Sequence, residues 1–186
     1  MTDAATDFRI RLLLRRGLMC AGAVVLASSA LAQTPAPKVC GLLPLADIER
    51  HFGGKAAAMT GSDNPSISTC VVSVEGHEVR LTKAPTGTPG YPATVDAGIQ
   101  LAYKNASGPG GRSLDTSSFG SIGCFRMVSS RDATGKNLPK PVYETTCFQT
   151  DGGYLSLAAK SSAPALVSYD VVKAMLEKIG AGQKKS

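Results

Sequence analysis

The stretch ISTCVVSVEGHEVRLTK, Ile67 to Lys83, decides how this chain folds. From Ser68 the period is two: Cys70, Val72 and Val74 fall on one side, and Val71 and Ser73 on the other. That is the signature of a half-buried strand. After Glu75-Gly76 the alternation resumes, with Val79 and Leu81 set against Arg80 and Thr82. A two-residue turn at Glu75-Gly76 places Cys70 opposite Leu81 and Val72 opposite Val79, so one apolar face crosses both strands.

A second phrase of the same kind is ETTCFQTDGG, Glu144 to Gly153. Its Asp151-Gly152-Gly153 turns the segment Val142 to Thr150 into Tyr154 to Lys160 and brings Cys147 opposite Leu157. Upstream, Ile122 to Ser130 is joined to Val142 by the turn-rich RDATGKNLPKP. A hairpin centred near Gly135 and Lys136 makes facing residue numbers sum to 271, which sets Cys124 against Cys147. Directly opposed Cβ atoms lie about 4.5–5.5 Å apart, close enough for a bridge after local adjustment. Cys40 and Cys70 are then left to each other. The competing pattern joins Cys70 to Cys147 and leaves Cys40 to find Cys124.

Three helices frame these strands. In CGLLPLADIERHFGG, Leu45, Ile48 and Phe52 share a helical face, with Pro44 at the first turn and Gly53-Gly54 at the stop. Thr94 caps a helix carrying Val95, Ile99, Ala102 and Tyr103, and Ser168 caps one whose Val171, Val172, Met175, Leu176 and Ile179 form a stripe stopped by Gly180. The predicted class is α+β: an antiparallel sheet of hairpins covered by two or three helices and stapled by disulfides. The repeated order of hairpin, loop and helix suggests two β-hairpin–helix units, with a boundary near residues 105–113, inside NASGPGGRS.

The chain start reads as a targeting segment. Arg9, Arg11, Arg15 and Arg16 precede an apolar stretch from Leu18 to Leu31, and Ala30-Leu31-Ala32 has the form of a cleavage site. About fourteen apolar residues fall short of the roughly twenty that a membrane helix needs. Residues 1–32 are expected to leave as a signal peptide, by Sec or by twin-arginine export through Arg15-Arg16, and Met19 before Cys20 makes a poor lipobox. A flexible lead-in at 33–39, one domain at 40–180 and a polar tail at 181–186 follow. Cleavage leaves 154 residues (186 minus 32), with 16 basic against 12 acidic and a net charge of +4. Half of that charge is the tail's Lys184 and Lys185, and no basic stripe interleaved with aromatics points to nucleic acid. Four cysteines then remain, with no C-x-x-C and no tryptophan, which favours disulfides over zinc or redox chemistry in an exported chain.

CGLLPLADIERHFGG, the second cysteine entering a strand, and SFGSIGCFRM together resemble the small exported bacterial envelope proteins of unknown function in which Cys-x-Leu-Leu opens a helix ending in glycine. Many of those are lipoproteins, and this chain departs from them in its cleavage signal and its second cysteine pair. The resemblance implies an envelope location. One local disulfide per half is also similar to the tandem-repeat β-lactamase inhibitory protein, as architecture alone.

Chemistry is sparse. His51 and His77 are the only histidines. His51, near a helix end, suits the dipole. His77 lies between Glu75 and Glu78, where a metal set is conceivable but neighbours on a strand point to opposite faces. SGPGGRS could offer backbone N–H groups and Arg112 to an anion, although it forms neither G-x-G-x-x-G nor a P-loop. No G-x-S-x-G is present, and Asp47, Glu49, Asp96, Asp115 and Asp170 are scattered. Tyr91, Tyr103, Tyr143 and Tyr154 could serve a protein-binding face, with Tyr103 also fitting the buried side of its helix. The sequence points to an exported, non-enzymatic protein that binds an envelope or exported protein and needs no cofactor. The rival is an envelope hydrolase using dispersed carboxylates or His77, and the candidate site residues are His77, Glu75 and Arg112.

Overall fold

The computed structural model describes residues 37–106, 112–132 and 134–183; the signal-peptide reading of residues 1–32 lies outside them. The chain runs through a 3-10 turn Lys38–Leu42, α1 Leu45–Phe52, β1 Ala56–Ser62, β2 Ser68–Val74, β3 His77–Ala84, α2 Val95–Ala106, β4 Ser113–Phe119, β5 Ile122–Arg131, β6 Asn137–Gln149, β7 Tyr154–Ser161, a second 3-10 turn Pro164–Val167, and α3 Tyr169–Gln183. The seven strands form one antiparallel sheet in the order β1-β2-β3-β7-β6-β5-β4.

One row across this sheet holds the fold. Gly61, Cys70, Leu81, Leu157, Cys147, Cys124 and Ser117 are successive partners from edge to edge. The five central members are fully buried. All three hairpin registers expected from the sequence are present, and so are both bridges: Cys40–Cys70 with Cα atoms 5.2 Å apart and Cys124–Cys147 at 4.1 Å. On this first face α1 brings Ile48 and Phe52, and α3 brings Val172, Met175, Leu176 and Ile179, into one core with the row. Burying each such side chain is worth roughly 1.5–3 kcal/mol. Among the described residues no helix is long and apolar enough to cross a membrane.

Helix α2 takes the other face. Its Gly98 lies so close to the sheet that a Cβ there would fall inside the ring of Phe148, a residue that alternates with Cys147 and therefore points away from the first core. This contact also corrects the expected face of α2: the buried positions are Gly98 and Ala102, while Tyr103 is 46% exposed. The caps are as expected, with the Ala97 N–H donating to Thr94 Oγ1 at 3.2 Å and the Val171 N–H to Ser168 Oγ at 3.4 Å.

Three further expectations change. Strands β1 and β4 are additional to the strands expected, because AAAMTGS and SLDTSSF carry no alternation of large apolar residues. Strand β6 begins at Asn137 despite Pro139 and Pro141; β7 pairs only as far as Tyr143, and the β5 register shifts between Ser129 and Arg131, so residues 138–141 have no ladder partner on either side. Helix α3 passes Gly180 and ends at Gln183, inside the expected tail. Gly180 is an approach site and not a stop, since a Cβ there would stand 3.0 Å from the Gln149 side-chain nitrogen. The two β-hairpin–helix units meet along β3 and β7, at Leu81 and Leu157. Their helices, however, cover opposite faces of the sheet.

Candidate binding surface

The second face of the sheet consists of three rows of seven partners. The first runs Ser62, Thr69, Thr82, Ser156, Phe148, Gly123, Ser118; the second Thr60, Val71, Arg80, Ala158, Thr146, Phe125, Thr116; the third Ala58, Ser73, Glu78, Lys160, Glu144, Met127, Leu114. Helix α2 covers the β4–β6 end of these rows. Val95 and Gly98 pack around Gly123 and Phe148, and Tyr103 Oη lies 3.1 Å from Thr116 Oγ1. A helix is about 10–12 Å wide, against strands spaced about 4.8 Å apart, so a single helix roofs two or three strands and no more.

Among the described residues no helix lies over the β1, β2, β3 and β7 columns, although Ser156 of β7 is buried where Tyr91 meets Tyr154. They present Thr60, Ser62, Thr69, Val71, Ser73 and Thr82 around the small Ala158, with Arg80 donating to Glu78 Oε1 at 2.8 Å. Glu78, Lys160 and Glu144 stand side by side as alternating charges along the third row. Leu101, 37% exposed, is about 160° around α2 from Tyr103 and borders this bare half. The surface is rich in hydroxyls and short side chains, suited to contact with another polypeptide.

A cleft of about 540 Å³ opens at one end of the sheet, lined by Asn64, Ser68, Lys83, Gln149, Asp151 and Gln183 among others. Its polar groups are largely committed. Lys83 Nζ donates to Gln183 Oε1 at 2.8 Å, and nearby Asp63 accepts the Lys38 and Val39 N–H groups at 2.6 and 3.2 Å, holding the first 3-10 turn.

On the first face a polar cluster fastens the β7–α3 connection. Arg126 donates to Thr145 Oγ1 and to Val167 O, both at 3.1 Å, and lies over the Tyr169 ring at 5.0 Å. The Thr145 hydroxyl also donates to Val167 O. Burial, with Asp115 beside it, pushes the Tyr169 hydroxyl well above its ordinary pKa. A neutral phenol and a saturated guanidinium hold a chain segment in place; they do not form a reactive pair.

The structure does not bring the expected site residues together. His77 faces the first core, stacked on Phe52 with ring centroids 5.0 Å apart, whereas Glu78 points to the other face. Glu75 sits in the turn at φ 46° and packs against Gly54. Arg112 is exposed ahead of β4, four strand spacings or roughly 19 Å across the sheet from His77. Ser107 to Gly111 lie outside the described residues. His51 Nε2 donates to Leu166 O at 2.8 Å. Of the carboxylates, Asp47 and Glu49 are paired with Lys178 and Lys55 on α1, Asp96 and Asp170 occupy first turns of helices, and Asp115 lies on β4. Among the described residues no three of His, Cys, Asp and Glu gather as a metal set. Of the tyrosines, Tyr91 and Tyr154 meet at a tilt with ring centroids 4.9 Å apart, and Tyr103 is the most exposed, the reverse of its expected burial.

The bare half of the sheet was illegible in sequence because its residues are ordinary outward strand positions; only the placement of α2 distinguishes them. No protein-family model, no curated protein and no solved structure matches the chain.

Proposed function

We propose that this is an exported, non-enzymatic protein that binds another envelope or exported protein through the bare half of its sheet. The observation that carries the reading is the unequal cover of the two faces: α1 and α3 close the first, whereas α2 closes only half of the second. The two disulfides suit an oxidising compartment outside the cytoplasm. The surface offers backbone-like hydrogen bonding from its threonines and serines, a small apolar centre at Val71 and Ala158, and charge selection by Arg80, Lys160 and Glu144.

The test is capture from envelope extract by the native chain and by two variants. Val71→Arg with Thr82→Glu alters the bare half, and Arg50→Ala alters an exposed site on α1. The partner should be retained by Arg50→Ala and lost with the double variant at unchanged melting temperature. Equal capture by all three would place the contact elsewhere.

A further inference from the structure

The geometry points to a zwitterionic di- or tripeptide as the ligand of the cleft at the end of the first face. The sheet sets its floor. Two positions beyond the cysteine row, Ser68, Lys83, Leu155 and Gln149 are successive partners on that face, so Lys83 and Gln149 flank the buried Leu155. Two strand spacings, about 9.6 Å, separate their backbones. The last turn of α3 lies over this row: Gly180 approaches the Gln149 amide, and Gln183 Oε1 accepts from Lys83 Nζ at 2.8 Å. Pro65, Pro85 and the β6–β7 turn at Asp151 complete the walls. The space of about 540 Å³ falls within the range of roughly 300–1,000 Å³ usual for small-molecule sites.

Three polar groups here keep capacity for a ligand. An ammonium has three N–H donors, and Lys83 spends one on Gln183. The half-buried Gln149 side chain makes no hydrogen bond among the described residues, although its amide offers both donors and an acceptor. Asp151 is exposed and forms no ion pair among the described residues. Their charges choose the ligand class. A simple anion meets Asp151 and the negative end of the α3 dipole, and a simple cation meets Lys83. A molecule carrying both charges satisfies each.

Spacing sets its length. Lys83 takes the carboxylate, Asp151 takes the α-ammonium, and the Gln149 amide lies along the path between them, placed to pair with the C=O and N–H of a peptide unit. Asp151 follows Gln149 by two residues, at most about 7 Å, and an extended peptide advances about 3.3–3.6 Å per residue. With the inward reach of the Lys83 side chain, two or three residues span the set. Leu155 and Pro85 give apolar contact to the peptide's side chains. This cleft is on the face opposite Val71 and Thr82, and the inference does not rest on the partner-binding reading.

Titration of the purified protein, with both disulfides intact, by leucyl-leucine should shift the amide resonances of Lys83, Gln149 and Asp151 to saturation in the millimolar range or below. N-acetylation or C-terminal amidation of the peptide should each weaken binding roughly 5-fold. Asp151→Asn changes an exposed turn residue; it should weaken leucyl-leucine as N-acetylation does and leave the affinity for N-acetyl-leucyl-leucine unchanged. Lys83→Met should do the same for the carboxylate end, with its melting temperature reporting the lost Gln183 tether separately. Absence of a saturable shift overturns the proposal. So does equal affinity for free and capped peptides, which would mean a groove without charge selection, and so does free leucine binding as tightly as leucyl-leucine. None of these results bears on capture through Val71 and Thr82, so the two readings fail separately.

Discussion

The outer strands β1 and β4 are each seven residues long and built largely of small residues, yet the sheet finishes differently at its two ends. Strand β4 is held from both sides. On the first face Phe119 meets Tyr169 at 6.3 Å between ring centroids with Lys173 over its ring, and Asp115 is a charge set inside the edge; on the second face α2 lies across it. Strand β1 has the 3-10 turn Lys38–Leu42 against its first face and no helix on the second. The difference teaches that an edge strand's fate is settled by what crosses it and not by its own composition. Both edges terminate the sheet, but only β4 has a helix across it.

The largest effect that can test this contrast is loss of a disulfide. Replacing Cys40 and Cys70 by alanine should cost about 2–5 kcal/mol in urea unfolding, as should replacing Cys124 and Cys147. Amide exchange separates the two. Without Cys40–Cys70 the turn roofing β1 loses its tether, so β1 should exchange faster while β4 is unchanged; without Cys124–Cys147, β5 and β6 should be the strands affected. If β4 already exchanged faster than β1 in the native protein, the contrast between the edges would be broken.

Gly98→Val comes next. Its side chain would enter the space of the Phe148 ring, and the overpacking should cost about 1–3 kcal/mol in thermal or urea unfolding. Exchange should rise in β4 and β5 under the lifted α2, with β1 untouched. Uniform loosening of both edges would mean that α2 is not what closes the β4 side.

The smallest effect sharpens the β1 side. Asp47 on α1 accepts from Lys178 of α3 at 2.8 Å, and this bond and charge, with Arg50, hold its pKa below 3.8. Because the folded value is the lower one, the unfolded chain binds the extra proton, and stability is present above about pH 4 and lost as pH falls through the folded pKa. Acid titration followed by circular dichroism should show a shallower acid limb for Asp47→Asn than for the native chain. An unchanged slope would mean that the Asp47–Lys178 pair joining α1 to α3 on the first face does not contribute to stability.

Much of the interior was legible. Alternation in β2, β3 and β7 placed Cys70, Leu81 and Leu157 on one face, and hairpin register alone opposed Cys124 to Cys147. Strands β1 and β4 were not legible, because Ala-Ala-Ala-Met and Thr-Ser-Ser take their extended form from backbone pairing with a neighbour. Side-chain periodicity never records that pairing. The candidate surface was hidden for a related reason: Thr60, Val71 and Ala158 become a surface only because α2 stops short of them, and the expected cluster of His77, Glu75 and Arg112 dissolved once strand alternation and the width of the sheet separated its members.

By itself the sequence determined the α+β class, the three hairpin registers, both disulfides and the capped starts of α2 and α3. Each of these depends on residues close along the chain, where period, turn length and side-chain oxygen position are decisive. Only the tertiary structure decided that β3 lies beside β7, that α2 and α3 take opposite faces, and that β1 ends the sheet. Alternation states which side of a strand is apolar, but a strand has two sides and two edges. Which neighbour and which helix fill them depends on fitting the Gly98 groove to the Phe148 ring and the α3 stripe to the cysteine row, and that fit exists only when the whole sheet is assembled.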